Sequence, residues 1–509
     1  MNDFNDLQLA LNSHFPIVVV ETHEEHRVLD LLSRALAEGA RALVKWTVTD
    51  GLMAVPGVGE HPTGNFQDLR LEGEAPSPVQ STTDPQQALR RMRAANAPTV
   101  FALLDFHHYL EAPVTIRLLK EIAQGQHVNQ HTVVLISHRL NLPEELSRSC
   151  ARFELSMPDE AGIYALLRAE SQVWGLQNDG AKVKADRKAM TLLAKNLLGL
   201  TVTDAKRLIR NAIHDDGAIT HADIPDLQKA KYELIGQDGL LSFEYETARF
   251  SDVGGLHNLK QWLEKRGSYF VRSQDDSALD RPKGILLVGV QGGGKSLAAK
   301  AVAGVWGVPL LRLDFGVMYN KFFGETEKNM REALKLAQIM SPCVLWIDEI
   351  EKGIATGDYD SGTSRRVLGT LLTWMAENSA RTFIVATAND IQALPPELIR
   401  KGRLDEIFFV DLPDDAVRRD IFAIHLNKRG HRPDAFDLVR LSAQSPGFSG
   451  AEIEQAVVAA AYSAHAANAS MSDEHIVAEL DRTKPLSVVM SERVTSLRQW
   501  AEHRTVPAN

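Results

Sequence analysis

Ile285-Leu286-Leu287-Val288-Gly289-Val290-Gln291-Gly292-Gly293-Gly294-Lys295-Ser296 decides how the rest of this chain is read. Four apolar residues run into a glycine cluster, and Leu297-Ala298-Ala299-Lys300-Ala301-Val302 continues with helical character. Buried strand, tight loop and helix in that order form the setting in which G-x-x-x-x-G-K-[ST] binds phosphate. The glycines let the backbone wrap closely, so that amide N–H groups and the helix N-terminus face an anion. The whole loop is therefore expected to line a nucleotide: Gly289, Val290, Gln291, Gly292, Gly293, Gly294, Lys295, Ser296 and Leu297. Lys295 supplies a point charge for the β- and γ-phosphates, and the Ser296 hydroxyl is a ligand for Mg²⁺.

The partner signal lies downstream. Val344-Leu345-Trp346-Ile347-Asp348-Glu349 places Asp348 at the carboxyl end of a buried strand, where α/β sheets hold their ligands. Asp348 is expected to share the metal with Ser296, and Glu349 to orient or activate water for attack on the γ-phosphate. Apolar runs at 285–288, 308–313, 343–347, 382–387 and 407–412 give five strands of a doubly wound parallel core. Beyond Pro413 the pattern turns helical and predicts a lid.

The N-terminal half repeats the plan with different chemistry. Ile17 to Val20 matches Ile285 to Val288, Val100 to Asp105 stands opposite Cys343 to Asp348, and Val133 to Ser137 resembles Ile384 to Ala388. Phe153 to Glu160 and Phe408 to Asp415 both read strand, proline, acidic helix start. Such landmarks in one order predict a duplicated unit. Where the phosphate loop belongs, however, the chain reads Glu21-Thr22-His23-Glu24-Glu25-His26-Arg27. Three glutamates without a glycine repel phosphate and block close backbone approach. Asp105 persists, but Phe106 stands in place of the glutamate, so this half is expected to bind no nucleotide. His107, His108, His127 and His131 form no metal-ligand motif, and Arg90, Arg91 and Arg93 are expected to face solvent. The expected division is 1–160, a degenerate α/β domain; 161–224, its lid-like helices; 225–248, a linker with one short helix; 249–412, the α/β core; and 413–509, the helical lid.

Further motifs bring in a family resemblance. Phe250-Ser251-Asp252-Val253-Gly254-Gly255-Leu256 resembles the opening motif of the AAA ATPases, and Thr387-Ala388-Asn389 their sensor-1 strand end. Ile399-Arg400-Lys401-Gly402-Arg403-Leu404-Asp405 resembles their arginine-finger segment, and Gly447-Phe448-Ser449-Gly450-Ala451-Glu452-Ile453 their lid motif. The match spans about 240–460. With Gly239 to Phe243 and Lys260 to Leu263, it points to an AAA family first catalogued as a conserved open reading frame of algal plastid and cyanobacterial genomes. The resemblance implies a P-loop NTPase fold and ATP with Mg²⁺ as cofactors. It implies adenine and ribose contacts at Asp252, Val253, Gly254, His425, Gly450 and Ala451, and catalytic roles for Glu349, Asn389, Arg400 and Arg403. Arg400 and Arg403 would act on a neighbouring subunit's nucleotide, which implies a homo-oligomeric ring, a hexamer. Asn320-Lys321-Phe322-Phe323-Gly324-Glu325 resembles a substrate-gripping pore loop, with Thr356 to Gly362 as a second loop.

Composition narrows the partner. With 56 Lys+Arg against 66 Asp+Glu the net charge is −10, which disfavours a nucleic-acid motor. Cys150 and Cys343, the two cysteines, cannot build a disulfide framework. The N-terminus lacks the pattern of a signal peptide, and no apolar run reaches the length of a membrane span, so a cytoplasmic setting is expected. The expected activity is ATP hydrolysis that remodels, disassembles or threads a protein partner of unknown identity. The competing expectation is a nucleotide-gated scaffold that controls assembly without translocation.

Overall fold

Short runs of β-branched and apolar residues without polar alternation form strands covered on both faces, and such strands organise both halves of the chain. The computed structural model describes the chain apart from residues 1, 14, 38, 40, 57, 59–81, 215–216, 237–238, 246, 272–278, 316–325, 355–360, 392 and 401. By contacts it divides into two units, Met1–Pro158 with Thr201–Thr203, and Asp159–Leu200 with Asp204–Asn509.

In the first unit the strands are β1 (Ile17–Glu21), β2 (Ala42–Thr47), β3 (Gly51–Ala54), β4 (Thr99–Leu104), β5 (Thr132–Ser137) and β6 (Cys150–Phe153). Their order is β3-β2-β4-β5-β1-β6, parallel except for β3 at the edge. Alternate residues feed two cores: Val18, Val20, Val100 and Ile136 pack on one face, and Ile17, Val19, Phe101 and Leu135 on the other.

The second unit carries β7 (Leu241–Phe243), β8 (Gly284–Gly289), β9 (Leu310–Leu313), β10 (Cys343–Ile347), β11 (Thr382–Ala388), β12 (Glu406–Val410) and β13 (Val506–Pro507). Their order is β13-β12-β8-β11-β10-β9-β7. All five sequence-expected strands are present. What sequence periodicity did not reveal is the pair of short edge strands: β7, antiparallel to β9, and β13, parallel to β12. Three- and two-residue strands carry too little pattern to be read.

The two sheets share one plan. Read from the same side, β6-β1-β5-β4-β2-β3 corresponds to β12-β8-β11-β10-β9-β7, and each ends in an antiparallel edge strand. Ile17 lies opposite Val133 and Ile285 opposite Val385. The edge strands differ in origin, since β3 follows β2 through a tight turn whereas β7 precedes its sheet in sequence.

Helices Glu160–Gln177, Arg187–Leu197, Val202–His214 and Asp223–Ile235 surround a core of Ile163, Leu193, Leu208 and Leu227. Sequence reading assigned most of this stretch to a lid of the first domain, yet by contacts nearly all of it clusters with the second unit. One joint ties this stretch to the helix that ends at Ile339. The fully buried Lys231 Nζ donates to Asn196 O and Leu198 O at 2.8 Å and to Ile339 O at 2.7 Å, so it caps two helix ends at once. After Pro413, helices Asp415–Lys428, Leu438–Ala443, Gly450–Ala466 and Asp473–Arg482 enclose Phe422, Ile453, Val457 and Ile476. Among the described residues no helix is long and apolar enough to cross a membrane.

Candidate functional site

The glycine loop bends because its backbone must. Gly292 and Gly294 sit at φ +76° and +93°, the left-handed region that favours glycine. A Cβ on Gly289 would stand 2.0 Å from Val410 O, so β8 and β12 approach more closely there than any side chain allows. Helix Lys295–Trp306 starts directly from Gly294, which leaves its first N–H groups facing the loop. Lys295 is buried at the start of that helix, and its Nζ donates to Gly289 O and Val290 O at 2.9 Å each. Burial pushes its ammonium down to about 8, opposed by the carboxylates of Glu351, Asp348 and Glu349.

Strand ends supply the acids. Thr387 Oγ1, at the end of β11, donates to Asp348 Oδ1 at 2.7 Å and accepts from Glu349 N at 2.9 Å. Ser296 Oγ reaches Asp348 Oδ1 at 3.4 Å, and Arg312 Nη2 pairs with Asp348 Oδ2 at 3.3 Å. Two hard oxygens meeting beside a phosphate-type loop match the donors that Mg²⁺ selects. Glu349 takes a left-handed backbone, φ +47°, and its Oε1 accepts from Asn389 Nδ2 at 2.8 Å. Asn389 is itself held, its N–H donating to Oε1 of the buried Glu351 at 2.9 Å. Burial raises the Glu351 carboxyl above the ordinary range.

The helical layer closes the other side. Ser449 and Glu452 form a capping box at the start of Gly450–Ala466, with Ser449 N donating to Glu452 Oε2 at 2.8 Å. Ala451 N donates to Gly292 O at 3.3 Å, which ties that helix to the glycine loop. His425 Nδ1 lies 3.4 Å from Glu454 Oε1, and burial pulls the imidazole below its usual value.

These elements enclose a cavity of about 380 Å³. Of the residues expected to bind nucleotide, Asp252, Val253, Gly254, His425, Gly450, Ala451 and the stretch Gln291 to Leu297 line it, together with Asp348, Glu349 and Asn389. Gly289 and Val290 lie behind it and hold Lys295. Arg400 is exposed, and Arg403 keeps a buried Nη1 without a hydrogen-bond partner; neither lines the cavity. Their segment is anchored through Asp405 Oδ2, which accepts from Lys283 N at 2.7 Å and Gly284 N at 3.0 Å, at the root of the strand that leads into the loop. Lys321, Phe322, Phe323 and Gly324 fall outside the described residues, as does most of the second loop. Sequence reading missed the lining residues Ile421, Ile424 and Glu454. The first two share a helix face with His425, a spacing that the sequence does contain.

In the first unit the corresponding strand ends carry other groups. Leu104 pairs with Ile136 and Ile347 with Ala386, so Asp105 and Ser137 occupy the positions of Asp348 and Thr387. Ser137 Oγ donates to Asp105 Oδ1 at 3.3 Å, as Thr387 does to Asp348. His131 is buried with Nε2 2.9 Å from Ala95 O, and His127 is exposed on its surface.

Comparison with known proteins follows the same division. Residues 4–155 match the N-terminal domain of SpoVK-like AAA ATPases, 161–238 their second domain, and 285–412 the ATPase family associated with various cellular activities (AAA). The chain is 35% identical over 507 residues to an uncharacterized AAA domain-containing protein, ycf46, of Pyropia yezoensis, covering 98% of both chains. It is 34% identical over 508 residues to the ycf46 protein of Guillardia theta, covering 98% of this chain and 95% of that one. It is also 36% identical over 225 residues to the proteasome-activating nucleotidase of Aeropyrum pernix, covering 42% of this chain and 54% of that one. Glycine loop, strand-end acids and near-full-length similarity agree: the chain belongs to the AAA ATPase family.

Proposed function

We propose that the chain binds ATP with Mg²⁺ in the second unit's cavity and hydrolyses it to ADP and phosphate. The observation that carries this reading is the pair of hydrogen bonds Asn389 Nδ2 to Glu349 Oε1 and Thr387 Oγ1 to Asp348 Oδ1, set beside the glycine loop. Lys295 and the loop amides hold the phosphates, and Asp252, Val253, Gly254, His425, Gly450 and Ala451 hold the adenosine. Ser296 and Asp348 would hold Mg²⁺, which supplies positive charge to the phosphate oxygens. Glu349 accepts a proton from a water whose oxygen bonds to the γ-phosphorus as the bond to the bridging oxygen breaks. Asn389 keeps the Glu349 carboxylate in place for that transfer.

In this reading Arg400 and Arg403 complete the site of an adjacent subunit in a hexameric ring, because the charge growing on the γ-phosphate needs a cation. Hydrolysis then remodels, disassembles or threads a protein partner, gripped at Phe322 and its neighbours Lys321, Phe323 and Gly324. The similarity to a nucleotidase whose name says that it activates a proteasome supports coupling to a protein machine. Two free cysteines fit a reducing, cytoplasmic setting. Phosphate release and ATP affinity of the Glu349→Gln protein test the reading: binding should survive and turnover should not.

A further inference from the structure

The position that holds the acids of the second site is filled differently in the first unit. Asp105 follows β4, His107 lies two residues on, and His138 follows β5 directly. We infer that Asp105, His107 and His138 form a site for one divalent transition-metal cation of the zinc class. One ligand atom from each residue lies within 4.8 Å of the other two. A tetrahedral ion with bonds of about 2.0–2.1 Å separates its donors by about 3.4 Å, so side-chain movements of about an ångström close the set. Two imidazoles and one carboxylate suit a borderline cation such as Zn²⁺ or Co²⁺, whereas Mg²⁺ and Ca²⁺ select all-oxygen sites. Three protein ligands leave a fourth position for water or another group.

The surrounding groups hold the ligands in the required form. Ser137 Oγ lies within hydrogen-bond reach of two of the three, donating to Asp105 Oδ1 at 3.3 Å. Its Oγ also lies 2.7 Å from His107 Nδ1, with donor and acceptor set by the tautomer of the ring, and that nitrogen is 3.9 Å from Asp105 Oδ1. A hydrogen bond that orients a ligating side chain is the usual support behind a metal ligand. The His138 ring meets His107 edge-on at 4.9 Å and stacks with His23 at 5.7 Å. Asp105 takes a left-handed backbone, φ +51°, and its N–H is fixed to Ile136 O at 3.0 Å. Neither the His107-His108 pair nor His127 with His131 makes this site by itself. It forms because the ends of β4 and β5 bring together residues more than thirty positions apart in sequence. The inference is independent of the ATP reading.

Zn²⁺ titration of the chelator-stripped full-length protein, in an Asp348→Asn background that disables the other cation position, tests this site. A chromophoric competitor reads affinity, and Co²⁺ absorption in the visible reads geometry. The expected result is one Zn²⁺ per chain with micromolar or tighter affinity and a four-coordinate Co²⁺ band. His107→Ala and His138→Ala should each weaken binding at least tenfold, Ser137→Ala about tenfold, and the exposed His127→Ala should change nothing. His138 is exposed, so its replacement leaves thermal unfolding unchanged and isolates the ligand effect. Absence of micromolar Zn²⁺ binding, or binding that survives either histidine replacement, would overturn the site.

Discussion

Asn389 and Glu349, forty residues apart, are joined by a 2.8 Å hydrogen bond from Asn389 Nδ2 to Glu349 Oε1. The contact exists because β10 and β11 are adjacent parallel strands ending at one level. It holds in place the carboxylate that the proposed chemistry requires. An Asn389→Ala protein should keep its ATP affinity within about twofold and lose about a hundredfold in kcat, the pattern of a group that acts in the transition state. Equilibrium binding and steady-state phosphate release check the split.

Thr387 is buried and works twice, donating to Asp348 Oδ1 and accepting from Glu349 N. Thr387→Val keeps the shape but leaves a backbone N–H without its acceptor. The expected loss is about 1–3 kcal/mol of stability, with Thr387→Ser recovering most of it. Denaturant unfolding of both variants measures the difference.

Lys231 sits fully buried between the helical stretch and the second sheet's helices, and burial pushes its ammonium from 10.5 down to about 7. Between about pH 7 and 10.5 the unfolded chain therefore holds a proton that the folded chain has released. Stability attributable to this residue rises with pH across that window, and the penalty of burying the charge is complete below it. Lys231→Met should flatten the rise. It also leaves Asn196 O, Leu198 O and Ile339 O without their donor, a cost of about 1–3 kcal/mol for each group that stays buried and unpaired. Unfolding midpoints from pH 7 to 10 for both proteins check the sign.

Arg403 lies away from the cavity of its own chain, so its proposed role requires a neighbour. Arg403→Ala should bind ATP as the parent does, while kcat falls by about a thousandfold, the scale of arginine fingers. The parent's activity per chain should rise with protein concentration until assembly saturates. A concentration series of phosphate release, set beside sedimentation, follows both.

Much of this was legible in the sequence because phosphate chemistry demands particular residues at fixed spacing. The run from Gly289 to Ser296 announced a loop, and the structure places Gln291 through Leu297 along one cavity wall. The apolar runs gave all five central strands, since strands buried on both faces are hydrophobic throughout. Contacts made by fold alone were hidden. Glu351 holds Asn389 by a backbone N–H, and Glu454 reaches His425 from another helix. In the helical stretch the periodicity reported helices, but the joint at Lys231 to Ile339 O depends on carbonyls no pattern reveals. Asp105, His107 and His138 stayed unlinked for the same reason, because only the pairing of β4 with β5 brings them together.

The most direct test of the proposed chemistry is a paired measurement on Glu349→Gln. The substitution preserves size and the Asn389 contact but removes the base. ATP affinity should stay within a few-fold of the parent while phosphate release falls at least a hundredfold. Phosphate release at the parent's rate would contradict the account.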